Sequence, residues 1–191
     1  PVETHGRLQA KGKRIVGKHG KPVSLAGVSF FWSQWIGKYY TPEAVAWLKK
    51  DWNATIVRAA IAVDAGGYLT QPEAEMKRAR TVIDAALKEG IYVIVDWHSH
   101  TAHRYPEAAV EFFSAIAEAY GDKPNLIYEP FNEPLNRVSW SETIKPYHEK
   151  VIAAIRNHDK DNLIVLGNPS WSQDVDVRSE EHTSELQSLT N

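Results

Sequence analysis

An amide and a carboxylate stand side by side at Asn132 and Glu133, just after a short apolar run and just before Pro134. The run Leu126-Ile127-Tyr128 is too short, and too β-branched or aromatic, for a helix, so it reads as a buried strand. Asn132 and Glu133 then fall where that strand emerges, at a rim rather than in the core. A carboxyl group beside an amide at a strand end suits general acid/base work. On spacing alone the plainer reading, a polar loop start, is favoured. Other groups carry similar promise. Arg58 is the one charge inside Ala54-Thr55-Ile56-Val57-Arg58-Ala59-Ala60-Ile61. A second apolar stretch ends in Asp96-Trp97-His98-Ser99-His100. Seven tryptophans and eight tyrosines are many for 191 residues, and such rings can stack flat apolar faces or simply fill a core.

These groups need elements to hold them. Strand-like runs begin near residues 27, 56, 92, 125 and 163, at spacings of 29 to 38 residues. Amphipathic helical patterns fill the gaps. The first opens with Thr41 as N-cap and Pro42 in its first turn, and carries Val45, Leu48 and Trp52 on one face. The second covers 73–89 and stops at Gly90; the third runs from Pro106 to Tyr120 and stops at Gly121; the fourth covers 141–158. Ahead of them, residues 7–25 predict a hairpin turning at Lys18-His19-Gly20-Lys21. Repeated βα units of this length make a parallel sheet with helices outside, and the apolar strands fit burial on both faces. An open doubly wound sheet and a (β/α)8 barrel both satisfy that pattern. No glycine-rich phosphate loop follows the first strand, where Phe31, Trp32 and Trp35 stand instead. Polar and aromatic residues recur at several strand ends, as a barrel's active face requires. The barrel is favoured. It is incomplete, because a full barrel takes roughly 250 residues and eight strands, and only five are legible.

Composition narrows the partners. Hydrophobic residues make up 43% and charged residues 24%, ordinary for a globular chain. A net charge of −2 implies no strong pull toward nucleic acid or an anionic membrane. Cysteine is absent, which excludes disulfides and thiolate metal sites. No run approaches the ~18 apolar residues of a membrane span, and no signal peptide is visible in a sequence whose first residue is Pro1 rather than Met.

Taken together, the blocks Ile56-Val57-Arg58-Ala59-Ala60, Asp96-Trp97-His98, Tyr128-Glu129 through Asn132-Glu133-Pro134, and Gly167 through Trp171-Ser172-Gln173 resemble glycoside hydrolase family 5, and within it the bacterial endo-β-1,4-glucanases. The resemblance covers about residues 8–177. It implies a retaining hydrolase of β-glucan, working without a cofactor, secreted and monomeric in its parent form. By the resemblance Glu133 is the general acid/base and Asn132 binds the sugar 2-hydroxyl. Arg58 would keep the nucleophile ionised, unless it is only a structural ion pair with Glu129 or Asp96. His98 would line the cleavage subsite, and Trp35 and Trp171 would be sugar platforms, with Trp32 given to packing. In this family the nucleophile is a glutamate on the seventh strand, which this sequence does not contain, so the chain is expected to be inactive while its parent is active. Pro130 stands where many relatives carry an aliphatic residue. Two alternatives remain: another β-glycanase such as a mannanase, or a metal-dependent hydrolase using His98 and His100.

After Val177 the apolar pattern stops. Residues 178–188 match the translation of a common sequencing-library adapter at all eleven positions. The expected organisation is a partial catalytic barrel over 1–177 and a non-native tail over 178–191.

Overall fold

The computed structural model describes residues 1–174; the boundary expected after 177 and the tail that follows it lie outside the described residues. The chain opens with one helical turn, α1 (Val2–His5), and an antiparallel hairpin of β1 (Gln9–Lys11) and β2 (Arg14–Val16). Then come β3 (Gly27–Ser29), the short α2 (Ser33–Ile36), α3 (Pro42–Asp51), β4 (Ile56–Ala62) and α4 (Pro72–Glu89). β5 (Tyr92–His98), α5 (Pro106–Tyr120), β6 (Leu126–Glu129), α6 (Lys145–His158), β7 (Leu163–Ile164) and the one-turn α7 (Pro169–Ser172) complete its main elements. Strands β3 to β7 form one parallel sheet in which each lies beside its predecessor. That order has no reversal point. A doubly wound sheet needs one, so the topology is that of barrel units laid down in turn.

Local chemistry explains the helices that carry the sheet. The Thr41 hydroxyl accepts the Ala44 N–H at 3.2 Å, capping α3 as the sequence implies. Gly90 closes α4 in the left-handed conformation at φ 66°, where its N–H reaches back to Ala86 and Leu87. The outward-facing strand residues Val57, Ala59, Ile61, Val93, Val95, Trp97, Leu126 and Tyr128 pack with the buried faces of these helices in one core. Trp97 sits in an aromatic nest, 5.1 Å from Tyr68 and 5.0 Å from Phe112.

Side chains alternate across a strand, so the other face of the sheet carries the intervening residues. Its lowest part is apolar: Tyr92 and Ile127 pack with Leu8, and Ile56, Ile94, Leu163 and Val2 surround them. The N-terminal segment therefore plugs this end, with the Tyr92 hydroxyl donating to the Gly6 carbonyl at 2.6 Å. Above that plug the inner face turns polar. Ser29 and Arg58 are register partners, Asp96 and Glu129 are partners one step higher, and His98 tops β5. Arg58, Asp96, Glu129 and His98 thus stand on successive rungs of the sheet, while Asn132 and Glu133 follow in the loop after β6.

Several local expectations are corrected. The hairpin turns at Gly12 rather than at residues 18–21, where a single bridge joins Val16 to Pro22. Trp52 leaves the buried face of α3; it is the residue just after the helix, 60% exposed, with its ring 5.6 Å from that of Trp47. The helix expected over 141–158 begins as a π turn, Trp140–Ile144, capped by the Ser139 hydroxyl, and becomes α-helical only from Lys145. Pro146 explains the step, since it cannot donate to an α-helical ladder running through 141–146. The fifth strand is two residues long rather than five, because past Ile164 the chain bends toward Gly167, whose carbonyl faces the His148 ring nitrogen at 3.0 Å.

Candidate active site

Arg58 is the hub. It rises from β4 and donates from Nε and Nη2 to both Glu129 oxygens, at 2.7 and 2.9 Å. Nη2 also reaches Asn132 Oδ1 at 2.7 Å and Asp96 Oδ2 at 2.9 Å, while Nη1 reaches Ser29 Oγ at 3.2 Å. One long side chain thus ties four strands and the strand-end amide together. Burial opposes its charge, but Glu129 and Asp96 outweigh that and raise its pKa further. One cation cannot neutralise two buried carboxylates. Burial pushes Asp96 and Glu129 each up to about 7, with Arg58 pulling the other way.

His98 ends β5 with Nδ1 2.6 Å from Asp96 Oδ2. Burial, aided by the Arg58 charge, pushes its pKa down to about 4, so the ring is neutral at ordinary pH. Asn132 is buried and Glu133 beside it is half-exposed at the rim. The loop that carries them is held from below: the Tyr147 hydroxyl on α6 donates to the Pro130 carbonyl at 2.7 Å. His100 lies next to Glu133, with Nδ1 3.1 Å from its backbone oxygen and 3.8 Å from its carboxylate.

Two hollows meet at Arg58, Asn132 and Glu133. One, of about 310 Å³, is bounded by Phe31, Trp32, His98 and His100; the other, of about 430 Å³, by Glu129 and the segment from Val165 to Trp171. Trp171, 44% exposed, is on the wall of the larger hollow, and Trp35, 60% exposed, stands behind the smaller one, 6.1 Å from Phe31 on its wall. Trp32 lies between Trp35 and His98, 5.2 and 4.2 Å from their rings, so it lines the cleft as well as packing. Trp171 belongs to three consecutive left-handed residues, Ser170 to Ser172. Such backbone costs roughly 1–3 kcal/mol per residue, and two hydrogen bonds hold it: Trp171 N–H to the Pro134 carbonyl and Ser172 N–H to the Asn168 carbonyl, both 2.9 Å.

Of the six residues singled out from the sequence, Arg58, His98, Asn132, Glu133 and Trp171 line these two hollows, while Trp35 lines neither and packs beside Phe31 and Trp32 on the edge of the smaller one. Sequence reasoning missed Ser29, the Asp96–His98 contact and the Ser33–Glu75 bond that docks α2, at 2.5 Å. The metal alternative is not favoured. His103 stacks on Phe131 at 5.7 Å rather than turning toward His98 and His100, and among the described residues no three His, Asp or Glu converge as a metal site.

A sequential parallel sheet with its polar groups at the C-terminal rim defines the (β/α)-barrel class. The chain belongs to the cellulase family, glycosyl hydrolase family 5, whose family model matches residues 16–186. It is 51% identical over 176 residues to endoglucanase Z of Dickeya dadantii, covering 90% of this chain and 41% of that protein. A solved structure from Cytophaga hutchinsonii superposes with a TM-score of 0.89 at 50% identity, over 90% of this chain and 56% of that one. The catalytic domain of Thermobifida fusca endoglucanase Cel5A, solved as a variant with cellotetraose, gives 0.85 at 39% identity, over 90% and 57%. The chain therefore spans about two fifths of the first relative and little more than half of these solved chains.

Proposed function

We propose that the whole protein is a retaining endo-β-1,4-glucanase and that this chain carries its acid/base half. The observation that carries the reading is the Glu133–Asn132 pair, set at a rim between two exposed tryptophans and fixed to Arg58 through Asn132. Glu133 would protonate the leaving glycosidic oxygen and then take the proton of the attacking water. Asn132, its Oδ1 held by Arg58, would offer its amide N–H to a sugar hydroxyl. Trp35 and Trp171 would carry rings on either side of the cut. A retaining mechanism needs a second carboxylate about 5–5.5 Å from the first. Glu129 is the other carboxylate on the hollow, but both its oxygens are gripped by Arg58, so we assign it to structure. The nucleophile then comes from the part of the whole protein that these five strands do not include. A polymeric substrate that cannot enter a cell supports a secreted enzyme; no helix among the described residues is long and apolar enough to cross a membrane.

The test has two arms. Purified residues 1–191 are expected to leave carboxymethylcellulose intact, and measurable turnover would refute the division of labour. The whole enzyme is expected to release reducing ends with retained anomeric configuration and to lose about 10²–10⁴-fold in rate with Glu133→Gln; inversion, or unchanged activity of that variant, would overturn the mechanism.

A further inference from the structure

Asp96 is wholly buried in the middle of the sheet, two residues below His98 on the same face of β5. Its Oδ2 meets two nitrogens at once, His98 Nδ1 at 2.6 Å and Arg58 Nη2 at 2.9 Å, while Oδ1 has no partner. The two Nη2 hydrogens go to Glu129 Oε1 and Asn132 Oδ1, so the contact of Arg58 with Asp96 Oδ2 is an ion pair, and the Oδ2 lone pair is left to accept the His98 N–H. A proton on Oδ1 would find no acceptor, and a proton on Oδ2 would set a neutral oxygen against the guanidinium charge at 2.9 Å. The arrangement therefore belongs to an ionised Asp96 with the arginine as its counter-charge. His98 is neutral, so it carries a single N–H, and the partner of one nitrogen decides the state of the other. The ring is wedged against Trp32 at 4.2 Å and borders the smaller hollow, so with Nδ1 turned to Asp96 its remaining nitrogen is left for the cleft.

We propose that Asp96 is a positioning residue that locks His98 as the Nδ1–H tautomer, so that Nε2 meets the substrate as a hydrogen-bond acceptor for a sugar hydroxyl. The cleavage side of the cleft then presents an amide donor at Asn132 and an acceptor at His98. A sugar ring is recognised there only if it brings a hydroxyl that can donate to Nε2. The hydroxyl half of this assignment rests on the function proposed above; the tautomer half stands without it. Arg58, Glu129, Glu133, His100, Tyr40 and Tyr147 are the other charged or titratable groups near the pair, and the two tyrosine hydroxyls donate to backbone carbonyls. None of them offers Nδ1 a proton.

The tautomer is read directly from ring nitrogen shifts and two-bond couplings in residues 1–191 labelled with ¹⁵N-histidine. The measurement belongs at pH 8.5, above the value of about 7 to which burial raises Asp96. The His98 signals are assigned by their loss in His98→Gln. The expected result is a protonated Nδ1 and a bare Nε2; an Nε2–H ring, or an averaged mixture, overturns the proposal. Asp96→Ala is expected to release the ring to a mixture of tautomers, and an unchanged Nδ1–H signature in a folded variant would also overturn it. Should that variant not fold, the wild-type spectrum decides alone. Adding cellotetraose is expected to shift the His98 Nε2 resonance. A shift of the Trp35 indole with none at Nε2 refutes the hydroxyl contact and leaves the proposed function standing, whereas no shift at either residue counts against sugar binding by this chain.

Discussion

Arg58 grips both oxygens of Glu129, Nε to Oε2 at 2.7 Å and Nη2 to Oε1 at 2.9 Å, and does so from two strands away across the sheet. The same guanidinium is the only positive charge paired with Asp96 among the described residues. Removing it with Arg58→Ala strands two buried carboxylates, and breaking a buried pair in this way costs about 3–5 kcal/mol. The cost is expected at pH 8, where both groups are ionised, and to shrink by pH 5, where both can take protons. Arg58→Lys keeps the charge but loses the two-pronged geometry, so it is expected to recover only part of the loss. Urea unfolding at the two pH values checks this; an equal loss at both would show that packing, not charge, is what Arg58 supplies.

The aromatic side of the cleft depends on a contact far from Glu133. Glu75, fully buried near the start of α4, accepts the Ser33 hydroxyl at 2.5 Å and pairs with Arg78, while Ser33 Oγ accepts the Ala62 N–H at 2.8 Å. Burial raises the Glu75 pKa, and the Ser33 bond is what most opposes that shift. Ser33→Ala leaves a buried acceptor and a buried donor unmet, at about 1–3 kcal/mol. It is also expected to loosen α2, which carries Trp35. Reduced thermal stability together with weaker cellotetraose binding, followed by tryptophan fluorescence, is the expected pair of results. Lost stability with unchanged binding would confine Ser33 to folding.

Trp35 and Trp171 are expected to make separable contributions, since Trp171 lines the larger hollow and Trp35 packs beside Phe31 and Trp32 at the smaller one. Each exchange to alanine removes one exposed ring and disturbs little else, so each is expected to weaken oligosaccharide binding by about 1 kcal/mol, or roughly fivefold. The losses are expected to add, because the rings share no contact. Calorimetric titration of the single and double variants with cellotetraose checks both points, and strong coupling between the two would mean that they contact the same sugar.

Much of this fold was legible because each βα unit advertises itself twice, in an apolar run and in a helical stripe that follows. Arg58 stood out in the same way, as the one charge inside an apolar run, although the sheet face it occupies did not. Its pairing was not legible. Arg58 meets Glu129 only because β4, β5 and β6 align in a particular register, and no local pattern contains the offset between strands. Glu75 looked like an ordinary acid in the first turn of a helix, and only the docking of α2 turns it into a buried acceptor. Pro146 was visible, but a helix may take proline in its first turn, so the π turn ahead of it left no separate signal. The family resemblance supplied roles for Asn132 and Glu133 that spacing alone favoured reading as a loop start.

His148 supplies the clearest pH test of the fold itself. It is buried in α6 beneath the rim and bonds through Nε2 to the Gly167 carbonyl at 3.0 Å, which anchors the segment leading to Trp171. Burial lowers its pKa from 6.5 to about 4, only partly offset by that carbonyl. The folded state therefore binds fewer protons than the unfolded state between those values. Its contribution to stability is complete above pH 6.5 and is lost as pH falls toward 4. At pH 5 the loss from this one residue is about 2 kcal/mol relative to pH 7.5. Asp96 and Glu129 act in the opposite sense, because their raised values favour the folded state at lower pH. The whole chain is thus expected to show a shallow profile built from opposing slopes. His148→Gln retains a donor for Gly167 but cannot titrate. It is expected to cost stability at pH 7.5 and to remove the acid-side loss, leaving the variant closer to the wild type at pH 5 than at pH 7.5. Urea midpoints at the two pH values decide it: a variant whose deficit stays constant would show that His148 titrates alike in the folded and unfolded chains.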